Sequence, residues 1–276
     1  RPMERSPESS STAPAEAWSR DELALDPHAS SEKAGKVQAM FAAIARSYDL
    51  NNRLHSFGRD QAWRRKAVRL AAPSPGDRVL DVACGTGDLS EAFAASGAEV
   101  VGGDFTPEML DLARVKAERL PADRRPTYVH ADAMRLEHPA EAFDVVSIAF
   151  GIRNVTDPAV AVREFARVLR PGGRLVILEF AEPGLAPVRW ANRLYTSTIM
   201  PWTASLVARD RSGAYRYLPR SIETFLDPEA LAELVREAGL EVLQQARMTM
   251  GVCVATLARK PEAGSDDAGR ADPALG

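Results

Sequence analysis

From Arg78 onward, short apolar runs typical of strands alternate with segments whose apolar residues recur every three to four positions. The predicted strands are Arg78–Val82, Glu99–Gly102, Thr127–His130, Phe143–Ala149 and Gly173–Phe180. The predicted helices begin at Asp88, Pro107, Pro158 and Pro228. Because crossover helices join parallel strands, this alternation predicts an α/β, doubly wound fold.

The regions flanking this alternation complete the predicted architecture. Two final apolar runs, Leu240–Leu243 and Val252–Leu257, predict an antiparallel terminal hairpin, which makes a mostly parallel, seven-stranded, Rossmann-like sheet. Ahead of the sheet, Lys36–Tyr48 and Asp60–Leu70 have helical periodicity and predict an N-terminal helical cap. The segment Tyr48–Gly58 between them is polar and aromatic, and we expect a linker there.

The two ends of the chain differ in composition from the middle. Residues 1–34 and 261–276 are rich in Ser, Pro, Ala and charged residues, and we expect disordered tails because so few apolar groups cannot offset the entropy of ordering. The folded domain then spans 35–260. Residues 185–217 carry many large apolar side chains without a strand pattern and predict a helical insertion that covers the site.

Composition narrows the function classes. The 35 basic and 38 acidic residues are well mixed and leave a net charge of -3, which argues against a nucleic-acid partner. Cys84 and Cys253 are the only cysteines, and no spacing indicates a metal site or a disulfide framework. We therefore expect metal-independent chemistry in the cytoplasm. Peripheral contact with the inner face of the cytoplasmic membrane stays open, because the insertion combines aromatic residues with arginines.

The glycine loop after the first predicted strand is the first candidate ligand site, because ligands of such sheets bind where a strand turns into its helix. Gly85, Thr86 and Gly87 allow the backbone to approach a ligand closely. A nicotinamide dinucleotide is disfavoured, since Ser90 occupies the third glycine position of its motif. Asp81 would repel a pyrophosphate but attract the cationic methionyl end of S-adenosylmethionine. A tight turn without a ligand is the open alternative.

Acidic residues after the next two strands extend this site. Asp104 ends the second strand and is placed to accept hydrogen bonds from both ribose hydroxyls, unless it serves only as a helix N-terminal charge. Asp132 follows the third strand and would bind the adenine amino group, with Phe105 or Met134 packing on the ring. A solvated loop carboxylate is the alternative for Asp132.

Four motifs carry a resemblance to a known family. They are Asp81–Leu89, Phe143–Val146, Phe150–Val155 and Arg167–Leu175. Together with Glu179-Phe180 and the segment Tyr48–Trp63, they closely resemble the ubiquinone/menaquinone biosynthesis C-methyltransferase family, within the class I S-adenosylmethionine-dependent methyltransferases. The resemblance covers about Val37 to Lys260, nearly the whole predicted domain.

The resemblance implies methyl transfer from S-adenosylmethionine to a ring carbon of a prenylated quinol, which is demethylmenaquinol in bacteria that make menaquinone. It implies cofactor contacts at Thr86, Asp104, Asp132 and Ala133, and at Ala149, where the family often has serine. Asn51 and Asp60 stand where the family usually has methionine and histidine, which puts substrate detail in question.

Catalysis of such a transfer requires alignment of the ring carbon and stabilisation of a phenolate. Arg153 is a permanently charged donor for that oxygen, Asn154 an orienting group, and Tyr48 a third member of the network. The alternatives are an ion pair of Arg153, for example with Glu179, and ordinary packing of Tyr48. A ubiquinone precursor, a soluble phenol, cofactor binding without catalysis and a homodimer also stay open.

Overall fold

The computed structural model describes residues 17–24, 26–200 and 213–262. A seven-stranded sheet with the order β3-β2-β1-β4-β5-β7-β6 forms its centre. The strands are β1 (Arg78–Val82), β2 (Glu99–Asp104), β3 (Thr127–His130), β4 (Phe143–Ala149), β5 (Leu169–Phe180), β6 (Glu241–Met248) and β7 (Cys253–Arg259). β1 to β5 are parallel and β7 is antiparallel to both of its neighbours, so the predicted sheet and its terminal hairpin are confirmed.

Helices cover both faces of the sheet and the edge formed by the carboxyl ends of its parallel strands. The described α-helices are α1 (Arg20–Ala24), α2 (Lys33–His55), α3 (Arg59–Ala71), α4 (Asp88–Ala94), α5 (Pro107–Ala117), α6 (Pro158–Val168), α7 (Ala186–Leu194), α8 (Ala214–Glu223) and α9 (Pro228–Glu237). Within these ranges, no helix combines the length and the apolar character needed to span a bilayer.

Two apolar clusters lie on opposite faces of the sheet. One packs α6 and α9 against the sheet, with Phe165 and Val235 fully buried. The other packs α3 and α4, with Ala67 and Phe93 fully buried. Because both faces are covered, the central strands are mostly apolar, and a buried polar residue such as Asp81 requires a hydrogen-bond partner. The register places Asp81 beside Ser147 on β4 and so fixes one partner of the buried carboxylate.

The expected linker at Tyr48–Gly58 is wrong, because α2 continues through most of it to His55. Asn51 is buried and donates to the Ser47 carbonyl, which lets a polar residue stay within the helix. Gly58, with φ +71°, ends the helix by donating its backbone N–H to the Arg53 carbonyl at 2.7 Å. The segment therefore presents one helical face to the site.

The expected disorder of residues 1–34 is also wrong for the part that the structure describes. Trp18 is buried, and its ring stacks on Tyr217 with 4.9 Å between the centroids. Leu23 joins the same cluster, which also contains Met40 and Ile44 of α2. A few large apolar side chains can order a polar segment when a partner surface is available, and the composition alone does not reveal that partner. Residues 1–16 and 263–276 lie outside the described part.

The described part of the predicted insertion is helical. α7 continues into a π-helical turn over Tyr195–Ile199, and α8 follows after residues 201–212, which lie outside the described part. Trp202, Leu206, Arg209 and Arg211, on which part of the membrane prediction depends, fall in that gap.

Candidate active site

Three cavities meet at the carboxyl ends of the parallel strands, below α2 and α3. The strand-end cavity is lined by Val37, Gln38, Gly85, Asp104, Phe105, Asp132, Ala133, Met134, Ala149 and Asn154, among others. The glycine-loop cavity is lined by Tyr48, Arg64, Asp81, Ala83, Cys84, Gly85, Thr86, Asp88, Leu89 and Ala149. The apolar cavity lies between α2, α3 and the insertion, with Met40, Phe41, Ile44, Trp63, Phe150, Phe180, Arg153 and His55 in its wall.

Asp104 connects the strand-end cavity to the glycine loop. One carboxylate oxygen accepts from the Gly85 backbone N–H and the other from the Thr106 N–H, each at 2.8 Å. Burial raises the pKa of this carboxyl, although both hydrogen bonds lower it. A carboxylate has about four lone-pair sites, and the Thr106 side chain occupies one more of them, so part of the accepting capacity remains for a ligand hydroxyl. Asp104 therefore fixes the loop conformation and still faces the cavity.

The other predicted residues of this cavity are arranged around its rim. Phe105 is 38% exposed and contacts the His130 ring, while Asp132 accepts from the Met134 N–H at 2.9 Å. Ala133 and Ala149 complete an apolar wall. The cavity thus offers the Asp104 carboxylate next to the glycine loop, a second carboxylate at Asp132 and an apolar wall.

Asp81 is buried in the glycine-loop cavity and accepts from Ser90 Oγ at 2.6 Å and from Ser147 Oγ at 2.8 Å. Burial raises the pKa of this carboxyl to about 6, and the two hydroxyl hydrogen bonds lower it by less. A cationic ligand beside Asp81 would favour the ionised form.

Thr86 and Gly87 were predicted to contact the cofactor, and the structure shows that both also stabilise the glycine loop. Thr86 lines the glycine-loop cavity, but its hydroxyl donates to Asp49 at 2.6 Å. Gly87 lines none of the three cavities, and a Cβ at this position would collide with the Tyr128 ring. Gly87 has a φ of +85° and is the N-cap residue of α4. Gly87 therefore shapes the loop without facing the site.

Tyr48 is the point at which the cavities meet, since its side chain lines all three of them. Burial raises the pKa of its phenol, so the hydroxyl is neutral near pH 7. Phe150 separates the strand-end cavity from the apolar cavity, and Arg64 separates the glycine-loop cavity from the apolar cavity. A molecule in the apolar cavity therefore lies next to one that occupies the other two.

Arg153 lines the apolar cavity and is also held in a buried ion pair. Its Nη1 lies 2.6 Å from Glu179 Oε1 and 2.8 Å from the Phe150 carbonyl. Its Nε is buried and donates to none of the described residues. Asn154 instead lines the strand-end cavity, donating to the Phe150 carbonyl and accepting from the Tyr217 hydroxyl. The two neighbours thus face different cavities.

A charged network around the glycine loop was missed in the sequence. Lys116 of α5 pairs with Asp49 of α2 and with Asp88 of α4. Arg53 of α2 pairs with Asp88 and with Asp60 of α3. These contacts join residues from four helices, so no local spacing in the sequence predicts them. They hold α2, and with it Tyr48, over the loop.

The comparison with known proteins identifies the family. Residues 29–260 match the ubiE/COQ5 methyltransferase family. The chain belongs to this family. A demethylmenaquinone methyltransferase from Thermus thermophilus is 46% identical over 224 residues, which cover 80% of this chain and 100% of that protein. The ubiquinone/menaquinone biosynthesis C-methyltransferase UbiE from Cereibacter sphaeroides is 40% identical over 223 residues, 80% of this chain and 89% of that protein.

Solved structures share the fold of this family member. A SAM-dependent methyltransferase from Aquifex aeolicus has a TM-score of 0.52 at 16% identity, over 71% of this chain and 88% of that one. The [4+2]-cyclase SpnF has a TM-score of 0.57 at 20% identity, over 73% and 81%. Because a cyclase shares it, the fold alone does not define the reaction. Family membership makes the chain a methyltransferase with S-adenosylmethionine as its methyl donor.

Proposed function

We propose that this enzyme transfers a methyl group from S-adenosylmethionine to a ring carbon of demethylmenaquinol. The observation that carries the proposal is the position of Tyr48, where a large apolar cavity opens onto two cavities that fit the cofactor. The names of the relatives from Thermus thermophilus and Cereibacter sphaeroides agree with a quinol substrate. A prenylated ring would bury its apolar surface in the wall formed by Ile44, Trp63 and Phe180.

The side chains of the two cofactor cavities suit the parts of S-adenosylmethionine. The Asp104 carboxylate would accept the ribose hydroxyls, and Asp132 with the apolar wall at Phe105 and Ala133 would hold the adenine. Asp81 supplies negative charge in the glycine-loop cavity. The cofactor supplies an electrophilic methyl group on a sulfonium. The glycine loop, through Gly85, lines both cavities and would follow the cofactor along its length.

The residues of the chain would activate and align the quinol. The buried Nε of Arg153 is a donor without a partner among the described residues, and a quinol oxygen in the apolar cavity would supply one. That hydrogen bond would stabilise a phenolate and so make the ring carbon electron-rich. Tyr48 would orient the ring towards the cofactor. The new carbon–carbon bond would form as the sulfonium–methyl bond breaks, which releases S-adenosylhomocysteine. The methylated ring carbon would then lose its proton to water, and both ring oxygens would stay in place.

The direct test is an assay of the purified chain with S-adenosylmethionine and a reduced short-chain demethylmenaquinol. We expect a product heavier by one methylene unit, in which the added carbon is bonded to the quinone ring. The corresponding ubiquinone precursor and a soluble catechol serve as competing substrates. Turnover of the catechol alone would remove the quinol assignment. Cofactor binding without turnover of any phenol would indicate a binding module.

We further propose that the enzyme contacts the membrane through exposed apolar side chains around the mouth of the apolar cavity. Phe57 and Trp190 are 77% and 69% exposed, and Leu54, Leu185 and Leu194 are also exposed. The Phe57 ring contacts Tyr195, a residue of the cavity wall, so the turn after α2 and the insertion share this surface. A lipid surface would cover these side chains and present the prenylated substrate.

Liposome flotation tests this surface. We expect the wild-type chain to float with anionic vesicles and the double variant Phe57→Ser with Trp190→Ser to stay in the soluble fraction. Its turnover of a short-chain quinol should be unchanged, because neither side chain lines a cavity. If this face instead forms a homodimer, the same variant would become monomeric in sedimentation velocity, and the wild type would not float.

A further inference from the structure

Arg64 is a buried cation at the boundary between the cofactor and substrate cavities. It is 6% exposed and lines both the glycine-loop cavity and the apolar cavity. Among the described residues that line the glycine-loop cavity, it is the one positive charge, facing the carboxylates of Asp81 and Asp88. The predicted cofactor contacts contain no cation at all. If a ligand places a zwitterionic group in this cavity, Arg64 is the cationic side chain that can bind its negative part.

The contacts of Arg64 leave part of its guanidinium available. Within the described residues its Nη1 donates to Asp60 at 3.0 Å, and no hydrogen bond engages Nε or Nη2. The guanidinium lies 5.3 Å from the centre of the Phe150 ring, which restrains its orientation. An arginine has five N–H donors, so several remain for a ligand.

Asp60 does not depend on Arg64 for its own charge. It also pairs with Arg53, accepts from Ser56 Oγ at 2.9 Å and accepts from Gln61 Nε2 at 3.1 Å. This carboxylate would keep three donors if Arg64 were absent. Pairing with Asp60 therefore does not exhaust the role of Arg64, whose charge also lowers the pKa values of the Asp81 and Asp88 carboxyls in the glycine-loop cavity.

We propose that Arg64 binds the α-carboxylate of S-adenosylmethionine, while Asp81 lies beside the α-ammonium group. The planar guanidinium fork matches a carboxylate, and burial strengthens the interaction. This assignment rests on the proposed function only through the cofactor, and it names a residue that the resemblance does not assign. Because Arg64 also lines the apolar cavity, the cofactor carboxylate would complete part of the wall that the quinol contacts.

The test compares two ligands that differ only in the carboxylate. Isothermal titration measures the affinities of the intact chain for S-adenosylmethionine and for decarboxylated S-adenosylmethionine. We expect Arg64→Met to weaken binding of S-adenosylmethionine roughly 10- to 100-fold, the range expected for hydrogen bonds between charged groups. Binding of the decarboxylated ligand should stay within about threefold of wild type. Arg64→Lys should recover part of the loss, because it keeps the charge without the fork.

Arg53→Gln is the matched control. Arg53 belongs to the same charged network and pairs with Asp60, but it lines none of the three cavities. The control should leave the preference between the two ligands unchanged, and thermal melting of all variants shows whether they fold.

Other outcomes overturn the inference in distinguishable ways. An equal loss of both ligands in Arg64→Met would indicate a structural role. Unchanged cofactor affinity with a raised KM for the quinol would place Arg64 on the substrate instead. If the wild type binds neither ligand, the proposed function itself fails, and this inference fails with it.

Discussion

The Arg153 guanidinium lies 2.6 Å from the Glu179 carboxylate, and this buried pair joins the turn after β4 to the end of β5. Burial raises the pKa of the Glu179 carboxyl, and the charge of Arg153 lowers it. The pair uses Nη1 of Arg153, whereas Nε has no partner among the described residues. The ion-pair interpretation and the catalytic interpretation of Arg153 are therefore compatible, and experiments have to separate them.

Arg153→Gln should lower both stability and turnover. The free energy of unfolding should fall by about 3–5 kcal/mol, because the Glu179 carboxylate is left buried without its cation. The double variant with Glu179→Gln should regain much of that stability but not the turnover, since the donor to the quinol is still missing. Urea unfolding and the quinol assay measure the two effects. Recovered turnover in the double variant would remove Arg153 from catalysis.

Gly85 and Gly87 should respond differently to alanine. Both have positive φ, which costs an alanine about 1–2 kcal/mol, but only at Gly87 would the Cβ collide with the Tyr128 ring. We expect Gly87→Ala to lose more stability. Gly85→Ala should stay folded and bind S-adenosylmethionine more weakly, because its Cβ would project towards Tyr48 at the cavity wall. Thermal melting and titration calorimetry compare the pair, and the reverse order would contradict their assigned roles.

The affinity for S-adenosylmethionine should increase with pH through the Asp81 carboxyl. Its pKa is raised to about 6, and a nearby ammonium group prefers the ionised form. If only that form binds, affinity at pH 5 should be roughly tenfold lower than at pH 7. Calorimetry in buffers of different ionisation enthalpy should detect proton release near pH 6. Asp81→Asn should remove this release, and its persistence in the variant would assign it to another group.

The free energy of unfolding should increase as the pH rises from about 8 to 10.5, because Lys33 loses its proton at a lower pH in the folded protein than in the unfolded chain. Burial lowers the pKa of this amine to about 8, although its Nζ donates to the Val155 carbonyl at 2.6 Å. Across that interval the unfolded chain binds more protons than the folded one, so the free energy of unfolding increases with pH. The difference between wild type and Lys33→Met in urea unfolding should follow this slope. Lys66→Met, on α3, is the control and should not reproduce it.

Part of the strand-end cavity could be predicted because several of its residues follow local rules. Asp104 ends a strand, Asp132 follows the next strand, and Gly85 lies in the first turn after a strand. The carboxyl ends of parallel strands meet at one edge of a sheet, so these residues come together once the strand order is known. The strand-end cavity contains them all.

The predictions that failed concern segments whose partners are distant in sequence. Trp18 becomes ordered by stacking on Tyr217, which lies beyond the whole parallel part of the sheet. The polar and aromatic composition of Tyr48–Gly58 suggested a linker, yet most of this segment forms the end of α2. Asp49 and Arg53 hold it in place through ion pairs with residues of other helices. The composition of a segment does not reveal the surface on which that segment packs.

The doubly wound sheet, the glycine loop and the family could all be predicted from the sequence, because periodicity and short motifs are local properties of the chain. The three-dimensional structure was needed to show that Arg64 lines the glycine-loop cavity, that a side chain at Gly87 would collide with Tyr128, and that Tyr48 lies where three cavities meet. The physical reason is that burial and charge pairing depend on how helices dock across the sheet. The sequence alone does not distinguish a buried arginine from an exposed one.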